Sequence, residues 1–147
     1  MKPSRNNAAR LAVFAAAGIF AAGAAAQRVD DVGQAIGALQ AAGYTTVRDV
    51  ELDDELWEAE VKGADGRWHD VHVDPASGSV IHRMSGGALL TAGAITERLK
   101  QTGYTSIHEL DLDEAVWDAE AVDAQGQRVE VRVNGFTGAI LSSSVDR

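Results

Sequence analysis

The stretch Trp57-Glu58-Ala59-Glu60-Val61-Lys62, the turn Gly63-Ala64-Asp65-Gly66, and then Val71-His72-Val73-Asp74-Pro75-Ala76-Ser77-Gly78 decide the fold. Apolar residues recur at every second position, the period of a strand with one buried face, and Gly- and Asp-rich turns cut the pattern into short pieces. Upstream, Val50 and Leu52 alternate with Asp49 and Glu51 before a turn at 53–55; downstream, Ser79 to Arg83 reads as a short last strand. The result is a four-stranded antiparallel meander. In front of it, Val32, Ile36 and Leu39 recur at helical spacing and Gly43 stops the pattern. A helix of about three turns is not stable alone in water, so its apolar stripe must lie on the sheet.

The same plan occurs twice. A shift of 60 residues superposes Asp31 to Arg83 on Thr91 to Ser143 without a gap, and 15 of the 53 paired positions are identical. They include Gly43/Gly103, Tyr44/Tyr104, Trp57/Trp117, Glu60/Glu120, Gly66/Gly126, Val71/Val131, Val73/Val133 and Gly78/Gly138. In the second copy Ile95 and Leu99 mark the helix face, Thr91 is the expected N-cap and Gly103 the stop. The expected architecture is α+β, with two tandem repeats at 31–83 and 91–143, each one helix on a four-stranded antiparallel sheet. Residues 84–90, with Ser85-Gly86-Gly87, form the linker.

The N-terminus is of another kind. Leu11 to Ala26 carries no charged or polar residue, follows Lys2, Arg5 and Arg10, and ends in Ala24-Ala25-Ala26 before Gln27. This reads as a signal peptide over residues 1–26, cleaved between Ala26 and Gln27. At 16 residues, mostly Ala and Gly, it is short and weakly apolar for a membrane span. The expected location is periplasmic or secreted, with no membrane attachment after cleavage. The whole chain, 147 residues, carries a formal charge of −9; losing three basic residues and no acidic one leaves 121 residues at −12. So acidic a body excludes binding to a nucleic-acid polyanion. The absence of cysteine excludes disulfides, thiolate metal sites and catalytic thiols.

The ordered motifs Gly-Tyr after the helix, Trp-x-Ala-Glu, a Gly turn, and Val-x-Val-Asp-Pro-x-Ser-Gly resemble two copies of the PepSY domain, found in propeptides of thermolysin-type metalloproteases and in many exported bacterial proteins. The second copy departs from the pattern with Asn134-Gly135-Phe136-Thr137-Gly138 at the last turn, which keeps the turn and loses the proline. The resemblance implies a non-catalytic interaction module, whose partner is a protein of the envelope, a peptidase among the candidates.

Enzyme signatures are missing from the sequence: there is no Gly-x-Ser-x-Gly elbow, no phosphate loop and no dinucleotide fingerprint. His108-Glu109 lacks the second His of a zincin, and Asp111-Leu112-Asp113 lacks the Gly and Glu of a calcium loop. The expectation is therefore no enzyme, no cofactor and no dedicated metal site. Trp57 and Trp117 share the inward phase and read as core. Trp68 occurs in one copy only, on the outward phase with Asp70 and His72. Three readings of it stand: a partner contact, cover from elsewhere in the chain, or an isolated exposed ring. The candidate partner-binding set is Trp68, Asp70, His72, Glu58 and Glu60, on an acidic outer face suited to a basic partner. The alternative is a periplasmic small-ligand or metal sensor, with Asp70 and His72 sharing an ion with Glu58 or Glu60.

Overall fold

The computed structural model describes residues 27–146, and the signal-peptide expectation for 1–26 lies outside them. Helix α1 (Val32–Ala41) begins at Asp31, whose carboxylate accepts the N–H of Gln34 and so satisfies one of the free donors of the first turn. Helix α2 (Ala92–Thr102) begins in the same way, with Thr91 accepting from Ala94, and closes on Gly103 at φ 104°, a left-handed cap that suits glycine. The buried face of α1 is Ala35 and Leu39, the counterpart of Ile95 and Leu99. Val32 is 47% exposed, so the expected stripe through Val32 and Ile36 is displaced. Alanine carries little hydropathic signal, and its larger neighbours draw the apparent face away from it.

Strands β1 (Val47–Asp53), β2 (Leu56–Lys62), β3 (Trp68–Val73) and β4 (Val80–Ile81) form one antiparallel sheet in chain order. Strands β5 (Thr105–Asp113), β6 (Val116–Val122), β7 (Arg128–Asn134) and β8 (Ile140–Val145) form the other. The last strand of the first sheet is shorter than its expected 79–83. A 3-10 turn at Arg83–Ser85 and the left-handed Gly86 and Gly87 lead the chain out of the sheet.

Each helix closes a core over its sheet. Val29, Leu39, Trp57, Val61, Val71 and Val73 fill the first, and Ile95, Leu99, Ala119, Val129, Val131 and Val133 the second. Both expected core tryptophans face inward, and each donates its indole N–H over 3.1 Å to a carbonyl just before the helix, Trp57 to Val29 and Trp117 to Leu90. Those short segments are fixed in turn by Val29 N–H to the Pro75 carbonyl at 2.8 Å and Leu90 N–H to that of Gly135 at 2.7 Å.

A third cluster lies on the sheet faces turned away from the helices. It joins Leu56 and Ile81 of the first repeat to Ala115 and Val116 of the second, with Leu89, Phe136 and Leu141 packed against it. Leu56 pairs with Val116, and Ile81 with Leu141, by the same shift of 60 that relates the copies. The two repeats therefore meet through corresponding surfaces, as the halves of a two-fold dimer do.

Candidate functional site

The outer face of the first sheet is built from facing rows. Across β1, β2 and β3, Glu51 stands opposite Glu58 and Glu58 opposite His72. In the next row Arg48 stands opposite Glu60 and Glu60 opposite Asp70. Like charges directly opposed across strands are unfavourable, so this face depends on cations. Arg48 supplies one: its Nε donates to Glu60, which holds that carboxyl below its usual range, and lies 3.4 Å from Asp49. The same guanidinium sits 3.9 Å above the ring of Trp68. Trp68, half-buried, is thus covered from within its own repeat.

Asp49 sits at the bulge where the β1–β2 pairing slips, with φ 51°; Glu109 occupies the equivalent bulge at φ 49°. A bulge adds an unpaired residue and turns side chains toward a common point. Here it gathers Asp49, Glu51, Glu58, Glu60, Asp70 and His72, with Asp113 from the second repeat, around a cavity of about 280 Å³. The five residues expected as a binding set divide: Asp70, His72, Glu58 and Glu60 line this basin, while Trp68 stands beside Arg48 at its margin.

Asp113 and Glu58 each place a carboxylate oxygen 3.6 Å from His72 Nε2, beyond hydrogen-bond reach. The His72 side chain is 4% exposed and its Nδ1 has no partner. Burial lowers its proton affinity more than Asp113 raises it, so the ring is held neutral. At the equivalent position of the second repeat stands Arg132. Its Nη1 donates to the Asp53 carbonyl and to Glu58 Oε1, both at 3.0 Å, and its Nη2 to Asp53 Oδ2 at 3.0 Å. Its Nε lies 3.2 Å from Asp118 Oδ1, a charge contact without hydrogen-bond alignment. Burial pushes the Asp118 carboxyl up to about 6 against the pull of Arg132. Glu58 is raised in the same way, by burial first.

Two further groupings escaped the sequence reading. Tyr44 Oη lies 3.1 Å from His82 Nδ1, and the buried His82 packs edge-on against His69, which in turn bonds Asp65 at 3.0 Å. Burial lowers His82 and raises Tyr44, so both of these groups are held neutral. His69 is half-buried in the sheet. Among the described residues, the one trio of His and carboxylates close enough to share a metal ion is His108, Glu109 and Glu120. It occupies the positions of Arg48, Asp49 and Glu60 in the other copy, and Arg128 reaches Glu120 at 3.2 Å. The Asp70–His72 pair is not part of such a trio. Ser77 is bound up in its own turn, its hydroxyl donating to Asp74 and accepting from the Ser79 N–H.

The fold and its outer face define a class: a tandem α+β module whose charged chemistry lies on two sheet faces that meet. The chain belongs to the family described as peptidase propeptide and YPEB domain, PepSY, which matches it twice, over residues 8–84 and 87–144. Among solved structures it is similar to the YpmB protein from Bacillus subtilis, at 21% identity over 82% of this chain and 100% of that one, with a TM-score of 0.32. No curated protein matches it. No helix among the described residues is long and apolar enough to cross a membrane.

Proposed function

We propose that this protein is a non-catalytic binding module of the bacterial envelope or exterior, which restrains or modulates a peptidase or another exported protein. Residues 1–26 would be its signal peptide, cut between Ala26 and Gln27. The family supports this reading, since its description is that of a peptidase propeptide domain. One observation carries it: in the acidic basin beside His72, Arg48 compensates Glu60 and Arg132 compensates Glu58, while the exposed Glu51 and Asp70 face solvent with no cation of the described residues against them. An open, charged, pre-formed surface with no nucleophile or base in array suits recognition of a basic surface.

The test is retention of envelope proteins on immobilised protein, with peptidase activity assayed in the same fractions. Wild type retains a protein and changes peptidase activity; Glu51→Lys with Asp70→Lys does neither. Equal behaviour of the two overturns the proposal. A second reading, a metal sensor, is favoured by the His108–Glu109–Glu120 trio. Calorimetry with zinc separates the two: saturable heat lost in His108→Ala supports the sensor, and a flat trace removes it. A loss in His72→Ala instead would place the ion at the Asp70–His72 pair.

A further inference from the structure

We propose that the free edge of β3, between Trp68 and Asp70, accepts an extended segment of the partner protein as an added antiparallel strand, with a basic residue of that segment opposite Asp70. This rests on the binding-module reading and deepens it by naming how the partner is held.

The alternation of an antiparallel ladder fixes which backbone groups are free, because successive residues bond to opposite sides. The Arg67 carbonyl accepts from Gly63 at 2.8 Å on the β2 side, and the Asp74 N–H donates to Ser79 at 2.9 Å on the β4 side. The backbone groups of Trp68, Asp70 and His72 therefore point toward β4, and those of His69, Val71 and Val73 toward β2. Strand β4 meets β3 at two positions, His72 opposite Ile81 and Val73 opposite Val80. His82 is still extended, at φ −151° and ψ 142°, and then the chain leaves in the turn Arg83–Ser85. Among the described residues, no backbone group bonds Trp68 or Asp70 on that side.

The second repeat has the same edge closed. There β8 runs along β7, with Arg132 opposite Ser142 and Glu130 opposite Ser144, and the Asp146 N–H donates to the Arg128 carbonyl at 3.1 Å. Arg132, Glu130 and Arg128 are the counterparts of His72, Asp70 and Trp68 by the shift of 60. The last strand has 6 residues in the second copy and 2 in the first. Proteins blunt open edges with bulges. The pairings of the other three outer strands, β1, β5 and β8, each contain a register shift, and the β3–β4 pairing contains none.

In strand addition, main-chain bonds supply affinity and alternate side chains supply specificity. The residue opposite Asp70 joins the outward row in which Asp70 already faces Glu60. Opposite charges across strands are favourable and like charges are not, so that residue is basic. A second copy of this chain is a poor occupant, since each copy brings a net charge of −9.

The probe is acetyl-Lys-Val-Thr-Val-Thr-amide, titrated into isotope-labelled protein and followed by amide shifts and amide hydrogen exchange. With lysine opposite Asp70 and the first threonine opposite Trp68, exchange of the Asp70 and Trp68 N–H groups slows, while His69 and Val71, already bonded to β2, keep their rates. N-methylation of the lysine backbone removes the donor to the Asp70 carbonyl and should weaken binding at least about tenfold; N-methylation of the next residue, whose N–H faces away, should not. Asp70→Asn, which keeps the backbone, should bring the lysine peptide down to the affinity of a version with alanine in place of lysine. Unchanged exchange at Asp70 and Trp68, equal binding of the two N-methylated peptides, or equal binding of the lysine and alanine versions overturns the inference. So does a concentration-dependent dimer that protects those two N–H groups without peptide, since the occupant is then a second copy. An envelope protein that is retained and changes peptidase activity, yet leaves exchange at Asp70 and Trp68 unchanged, keeps the module reading and refutes this inference. Peptide binding at the edge with no protein retained refutes the module reading and keeps the edge site.

Discussion

Arg132 in the second repeat donates to Asp53 in the first over 3.0 Å, across 79 positions of sequence. His72, its counterpart by the shift of 60, faces Asp113, the counterpart of Asp53. The two contacts exchange the same positions between copies, the signature of an isologous interface closed within one chain. One contact is a charged fork and the other a neutral ring that falls short. The junction is therefore symmetric in Leu56/Val116 and Ile81/Leu141 and asymmetric in its charge.

Removing Arg132 should weaken the whole molecule. The side chain is 9% exposed and compensates Asp53, Glu58 and Asp118, so Arg132→Met leaves carboxylates uncompensated in a desolvated junction. A loss of about 3 kcal/mol is expected in urea unfolding. Asp53→Asn, at a carboxylate 54% exposed, should cost about 1 kcal/mol or less. Equal losses from the two variants would mean that the arginine acts through this one pair alone.

The twin tryptophans are not equivalent. Trp57 is 7% exposed and Trp117 only half-buried, although each makes the same 3.1 Å bond to the segment before its helix. Trp57→Phe should cost about 2 kcal/mol, one hydrogen bond plus lost packing, and Trp117→Phe about 1 kcal/mol. Thermal melts of both variants check the order, which reverses if packing at the second helix dominates.

Much of this was legible because it is local. The alternation Trp57-Ala59-Val61 and Val71-Val73, the Thr91 cap and the Gly103 stop each depend on residues within a few positions, and the duplication tests each reading twice. The repeat junction depends on contacts between residues about 30–80 apart, which no periodicity reports. A signal was nonetheless present. Leu56, Val116, Ile81 and Leu141 lie out of phase with the inward residues, and an apolar outward residue in both copies implies something that covers it.

The site was legible in its members and not in its form. Alternation alone sends Asp70, His72, Glu58 and Glu60 to one face, and they do share a basin. The bulge at Asp49 and the arrival of Asp113 from the other copy lie outside any strand pattern. Arg132 lies on the outward phase of its strand, and its contacts with Asp53 and Glu58 come from the other repeat.

Two glycines should respond in opposite directions to alanine. A Cβ on Gly135 would sit 2.6 Å from the Ala115 carbonyl oxygen and 3.0 Å from Leu89, both at the repeat junction. Backbone cannot yield as a flexible side chain does, so Gly135→Ala should cost about 1–3 kcal/mol. Gly37 lies inside α1 with nothing within 4 Å of such a Cβ, and Gly37→Ala should gain about 0.5–1 kcal/mol from helix propensity. Chemical denaturation of the two variants decides, and a stable Gly135→Ala would show that the junction can shift.

The pH response of Asp118 runs against that of an ordinary ion-paired carboxylate. Burial pushes its carboxyl up to about 6, outweighing Arg132, while Glu130, Asp113 and Glu58 push in the same direction as burial. In the unfolded chain the group returns to about 3.9. Between those values the folded state binds a proton that the unfolded state does not, so this contribution to stability falls as pH rises through the window and is fully lost above the folded value. Asp118→Asn is neutral throughout. It should melt above wild type at about pH 7.5, with the advantage shrinking toward zero by about pH 4. Burial lowers His72 and His82, which destabilises the fold as pH drops below about 6.5, but both histidines are present in the two proteins and largely cancel in the difference. A melting difference that is constant with pH, or that grows in acid, would mean that Arg132 keeps Asp118 ionised and that the ion pair, not its burial, governs the junction.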